Sequence, residues 1–370
     1  MAKDLPQEVI NDILSRVPAI DLIKFRSVSK FWLYLLSIDL HFHKSHFNMM
    51  KIQSNPSIIA MGVDNNQLYY SSDITSCDHA KKIDLPFDDS TARGNYLIFG
   101  ICNGLICLSK HSSMPQENFS KVHIWNPVAK DHVTIPCTPI FTSDLPTVFG
   151  FGCNQVTNEY KVILLYRSRK ITTTVSVYTL GTKNWRTLRW IPYYVSRHSS
   201  CAPLINGALH WIAAETVSLT SQEKILSFDI KDEVFREILP PEYPRNMRVG
   251  GLGGLLSVSG DLGDKILHVW VMKEYGVAES WIKQFRIQQS IVTESGIFEP
   301  LGLASNHEII LRRGFRGLFL YNSFTESITK LKEFNDYFYA AFTYFGSFLS
   351  PKSYQGSDGE VEKYQIRNSS

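Results

Sequence analysis

Nothing in the 370 residues approaches the roughly 20 consecutive apolar residues that a helix needs to cross a bilayer. The opening stretch, Met1 to Pro6, leads into a polar helix pattern rather than an apolar leader. Neither a membrane partner nor a secretory segment is therefore expected. Charge of one sign is also missing: 38 basic residues face 35 acidic ones, for a net charge of +3. The longest basic clusters are as short as Arg167-Ser168-Arg169-Lys170, too little to track a phosphate backbone, so no nucleic acid is expected as a partner. The six cysteines show none of the tight pairs that structural zinc prefers, and a chain of this length needs no disulfide staples. Reduced thiols and a cytoplasmic and/or nuclear location are the expectation, with the sequon Asn118-Phe119-Ser120 unmodified.

Catalytic patterns are equally scarce. No nucleophile elbow and no histidine–glutamate metal helix occurs. His41, His43 and His46 read as the polar surface of a helix end, and Cys102, Cys107 and His111 lack ligand spacing. Gly250-Gly251-Leu252-Gly253-Gly254 is followed by neither a lysine-serine pair nor a helix, and reads as a flexible loop before a strand. The expectation is a non-enzyme without cofactor or metal.

What is present is aromatic mass: 22 Phe, 17 Tyr and 7 Trp in a chain that is 44% hydrophobic and 20% charged. That composition excludes global disorder and favours strands. The first fifty residues differ. Asp4 and Gln7 stand at capping-box positions with Pro6 early in a helix, and Val9, Ile10, Ile13, Leu14 and Val17 recur at helical spacing until Pro18 stops them. Ile20 to Phe25, Val28 to Leu36 and His41 to Met50 supply further short helical segments. Together they carry more apolar side chains than so small a bundle can bury, and the surplus needs a covering surface.

Beyond Asn55-Pro56 the signals become strand packets, each a strand near a glycine, a second strand ending in an aromatic, and a third after a tight turn. The aromatic markers Trp125, Tyr178, Phe228, Trp270 and Tyr321 are spaced by 53, 50, 42 and 51 residues, near the period of propeller blades. A small all-α module followed by an all-β domain, a closed β-propeller of about six blades, is the expected fold. A two-sheet sandwich or two smaller β-domains are the alternatives. The segment Phe342 to Leu349 is expected to close the ring on the blade that begins near residue 57. The domain bounds read as 1–50 and 57–350, with a polar tail over 351–370.

The order Leu5-Pro6, Val9-Ile10, Ile13 to Pro18, Leu22, Phe25 to Lys30 and Trp32 resembles the F-box, with Ser27 and Ser29 where family members often have cysteines. Cys102 to Leu105, Ile124 to Pro127, Phe149 to Gly152, Glu159 to Val162, Asn206 to Trp211, Ser227 to Asp229 and Val269 to Trp281 resemble the F-box-associated domain of plant F-box proteins. The resemblance implies a substrate-recognition subunit of an SCF (Skp1–cullin–F-box) ubiquitin ligase. Its Skp1-like adaptor would be bound through Leu5, Pro6, Ile10, Ile13, Leu14, Leu22, Val28 and Trp32, with cullin-1 and a RING subunit engaged indirectly. One or more protein substrates would be held by the β-domain, where loop aromatics and aliphatics such as Tyr193, Tyr194, Ile297 and Phe298 are candidate anchors. The same architecture serves S-locus F-box proteins of pollen acting on a stylar ribonuclease. A non-degradative β-propeller scaffold, or a propeller hydrolase or lectin, are the remaining readings.

Overall fold

The computed structural model describes residues 6–53, 56–62, 68–71, 80–87, 95–111, 119–136, 147–167, 172–196, 201–215, 221–288, 298–305, 307–314, 317–331 and 338–354. Four helices come first: α1 (Gln7–Ser15), α2 (Ala19–Leu22), α3 (Lys30–Ser37) and α4 (Leu40–Gln53), with a 3-10 turn over Ile23–Ser27 between α2 and α3. Pro6 occupies the N-cap position of α1 and makes no side-chain cap, so it stands just outside the helix rather than early within it; Asp4 lies outside the described residues. Ser29 caps α3, its hydroxyl accepting from the Trp32 amide at 3.2 Å.

Strands then follow without a further α-helix among the described residues. The first blade holds β1 (Ser57–Gly62), β2 (Leu68–Ser71) and β3 (Lys81–Ile83). The second holds β4 (Asn95–Cys102), β5 (Leu105–His111), β6 (Phe119–Asn126) and β7 (Asp131–Ile135). The third holds β8 (Thr147–Cys153), β9 (Tyr160–Arg167), β10 (Thr173–Thr179) and β11 (Arg186–Ile191). In the fourth the innermost strand is broken into β12 (Tyr194–Val195) and β13 (Leu204–Ile205), followed by β14 (Ala208–Ala214), β15 (Lys224–Asp229) and β16 (Phe235–Ile238). The fifth is β17 (Arg245–Leu252), β18 (Leu255–Asp261), β19 (Ile266–Met272) and β20 (Trp281–Gln288). The sixth is β21 (Phe298–Ser305), β22 (Glu308–Arg313), β23 (Leu318–Asn322) and β24 (Ser327–Lys330). Finally β25 (Phe338–Tyr344) returns to the first blade and pairs antiparallel with β1, Ile59 opposite Phe342. The ring is closed by hydrogen bonds between its two ends, with the closing strand set a few residues earlier than Phe342 to Leu349.

Closure is visible in the packing. Six hydrophobic clusters each join two neighbouring blades, the last joining the sixth blade to the first. A sandwich would bury one interior between two sheets. Here every sheet is covered on both faces by its neighbours. The five marker aromatics all lie on the third strand of their blades, and each packs toward the preceding blade.

The innermost strands escaped the packet reading because glycine interrupts them. A Cβ on Gly100 of β4 would lie 2.7 Å from the Phe151 Cβ of β8, and one on Gly302 of β21 would lie 2.7 Å from Thr343 of β25. Where blades converge on the axis, backbones approach too closely for a side chain. Gly250 and Gly251 likewise lie within β17, and Gly253-Gly254 is the tight turn into β18, both at positive φ. This stretch is an inner strand and its hairpin, not a flexible loop.

Candidate partner-binding faces

In an antiparallel blade, successive connections alternate between the two ends of the strands. The turns between first and second strands and between third and fourth strands therefore share one end of the ring. Several of the turns at this end are short. Asn103-Gly104, Asn206-Gly207 and Gly253-Gly254 are two-residue hairpins with positive φ at both positions. The helical module docks here, against Val128 in the turn after β6 and Phe348 in the segment after β25. The other, distal end is where the strands joined by the connections 84–94, 112–118, 136–146, 215–223 and 289–297 begin and finish, whereas the break 196–203 in the fourth blade's inner strand falls midway along β14, between Val195 opposite Ala213 and Leu204 opposite Leu209.

The module's apolar stripe splits in two. Leu14, Ala19, Leu22, Leu35, Leu36 and Phe42 form a core with Val128 and Phe348 of the ring, and Ile10, Val17 and Trp32 lie at its margin. The opposite side faces out: Val9, Ile13, Ile20, Phe25, Val28, Leu33, Tyr34, Ile38 and Leu40 are all exposed, Val28 by 61% and Ile13 by 50%. Phe25 leans edge-on to Trp32 at 5.6 Å.

Of the residues expected to meet an adaptor, Pro6, Ile13 and Val28 are exposed, and Ile10 and Trp32 are half-buried. Leu14 and Leu22, at 3% and 0% exposure, are spent on the module's own core and its contact with the ring. Leu5 lies outside the described residues. Sequence reasoning passed over Val9, Ile20, Leu33, Tyr34, Ile38 and Leu40, although the signal was available: Leu33 and Tyr34 precede the inward pair Leu35 and Leu36 and so point to the other face of α3.

The expected substrate anchors fare differently. Phe298 opens β21, is 1% exposed, and packs edge-on to Phe319 inside the cluster between the fifth and sixth blades. It is a core residue because β21 already begins at this position, inside the stretch 287–299 that reads from the sequence as a variable loop. Tyr193 and Tyr194 are half-buried at the distal end. The Tyr193 hydroxyl donates to the Glu237 carboxylate with Lys224 beside its ring, and Tyr194 pairs with Ala214. Ile297 lies outside the described residues.

The histidines are corrected as well. His43 and His46 are 2% and 0% exposed and pack tilted and edge-on against the Phe348 ring at 5.7 and 4.9 Å; of the three, only His41 faces solvent. One His46 ring nitrogen lies 2.8 Å from the Val17 carbonyl. Burial pushes His43 down to about 4 and lowers His46 as well. Cys102 and Cys107 lie in the core between the second and third blades, and burial raises both thiols. Cys153 is pushed up to about 11 and Cys201 to about 12 by the same cause. Such thiols are poor nucleophiles and poor ligands. Among the described residues, no group of three or more His, Cys, Asp or Glu side chains is placed to hold a metal ion.

Both regions match known families. The F-box domain profile matches residues 3–44, and that of the F-box associated beta propeller domain matches residues 58–332. The F-box protein At3g07870 of Arabidopsis thaliana is 30% identical over 340 residues, covering 82% of this chain and 75% of that protein. The F-box/kelch-repeat protein At3g23880 of the same plant is 29% identical, covering 86% and 88%, and the F-box protein CPR1 is 26% identical, covering 77% and 73%. With an F-box module on one end of a six-bladed ring and both profiles matched, the chain belongs to the plant F-box proteins that carry an F-box associated beta propeller domain.

Proposed function

We propose that this chain is the substrate-recognition subunit of an SCF ubiquitin ligase. The exposed side of α1, the 3-10 turn and α3 binds a Skp1-like adaptor, and the distal end of the ring holds a protein target. The observation that carries the reading is where exposed apolar side chains fall. Among the described residues, ten large ones lie between Val9 and Ile52, against eight on the much larger ring. A set so dense on short helices fits a groove in a partner, in which a few well-buried anchors supply most of the affinity.

In this role the chain performs no bond chemistry. The adaptor joins it to cullin-1 and the RING subunit, and the ring brings a target lysine toward the activated thioester, raising its effective concentration. A reducing compartment, cytoplasm or nucleus, suits the free thiols of Cys102, Cys107, Cys153 and Cys201. The test is co-purification of a Skp1-like adaptor with the full chain and with Val28→Asp/Leu33→Asp. Loss of the adaptor from the variant is expected, while undiminished capture would refute the assignment.

A further inference from the structure

Phe348 follows the ring-closing strand by only four residues, yet it belongs to the core of the helical module. Its ring, 1% exposed, sits among Phe42, His43 and His46 of α4. The backbone on either side is held by one side chain from the second blade. Asn126 Nδ2 donates to the Ser347 carbonyl at 2.9 Å and the Leu349 carbonyl at 2.7 Å. Its Oδ1 accepts from the Val128 and Ala129 amides at 2.9 and 3.2 Å. The amide is fully engaged, 0% exposed, and cannot turn without leaving buried groups unpaired.

Further ties surround it. The Tyr344 hydroxyl donates to the Gly104 carbonyl at 3.2 Å, and Ser347 Oγ donates to the Asn103 carbonyl at 2.6 Å. Gly346 lies so close that a Cβ there would be 3.0 Å from Val128 and 3.6 Å from Ala19 of α2. Beyond the clamp, Ser350 and Lys352 donate to Asp131 at 2.9 and 2.7 Å. The module, the hairpin turn after β4, the turn after β6 and the closing strand thus meet at one segment.

We infer that Ser347–Leu349 is a positioning clamp: it completes the core of the helical module, so the module is held in place only on a chain whose ring has closed. Without Phe348 the inner side of α4 loses its main apolar partner from the ring, while the outer side of α1 and α3 is untouched. The consequence for adaptor recruitment rests on the reading proposed above; the clamp itself does not.

Hydrogen exchange on the full chain tests it, comparing wild type with Phe348→Ala and Asn126→Ala. Exchange in α4 is expected to speed up about tenfold or more in Phe348→Ala, and by less in Asn126→Ala, while Ala208–Ala214 and Ile266–Met272 are unchanged. Unchanged α4 exchange in both variants would overturn the inference. So would equal acceleration in the ring strands, which would make Phe348 a general core residue. Adding a Skp1-like adaptor separates the two claims. If the wild type binds no adaptor, the ligase reading fails and the exchange result stands alone. If it binds, saturating adaptor should restore α4 protection in Phe348→Ala, because an adaptor that takes only the ordered module favours it; α4 exchange in that variant unaltered by adaptor would break the link between clamp and recruitment.

Discussion

The module and the ring spend their apolar side chains differently. In the ring, Trp211, Phe228 and Trp270 are sealed between blades, and glycine stands where backbones converge. In the module, one side of each short helix packs inward and the other is left to solvent. The lesson is that exposure here follows architecture: a closed ring can cover every sheet with the next, whereas a few short helices cannot cover themselves.

The contrast can be broken most severely at a blade interface. Trp211 is 0% exposed, and its Nε1–H donates across to the Phe149 carbonyl at 3.2 Å. Trp211→Ala should cost about 3–5 kcal/mol in denaturant titration; a smaller loss would mean the clusters between blades are not the ring's main support. Gly100→Ala, which forces a Cβ against Phe151, should cost up to about 3 kcal/mol in the same assay.

Acid sharpens the comparison at the joint. The folded His43 imidazole is held near 4 by burial, against 6.5 in the ordinary state. The unfolded chain takes up the proton first, so this contribution is complete above 6.5 and is lost as pH falls toward 4. At pH 5 the loss is about 2 kcal/mol, and His43→Leu should flatten that part of the pH–stability curve. His210, buried in the fourth blade and also held near 4, makes the ring itself acid-sensitive, so the measurement should follow α4 separately. The smallest stability effect is expected at the module's outer side. Ile13→Asp should change stability by no more than about 0.5 kcal/mol, in contrast to Leu14→Ala one position along, which empties the core.

Much of this was legible in the sequence, because the third strands announce themselves with an aromatic before a tight turn, and α1 repeats its apolar residues at helical spacing. The innermost strands were not, because Phe149-Gly150-Phe151-Gly152 and Gly250-Gly251 weaken the strand signal where packing needs glycine. The split of the module's stripe was hidden too: Ile13 and Leu14 are neighbours with the same chemistry, and only the position of Val128 and Phe348 decides which is sealed. Asn126 and Ser347 lie 221 positions apart, so no local pattern joins them. His43 and His46 read as solvent-facing because imidazole reveals its surroundings only once they are in place.

The central claim is that the outer side of the module exists to be covered by a second polypeptide. Hydroxyl-radical footprinting of the full chain, with and without a Skp1-like adaptor, addresses it directly. Protection of Ile13, Val28, Leu33 and Tyr34, with Trp190 and Phe324 on the ring unchanged, is the predicted result. An unaltered footprint on the helices, or protection confined to the ring, would contradict it.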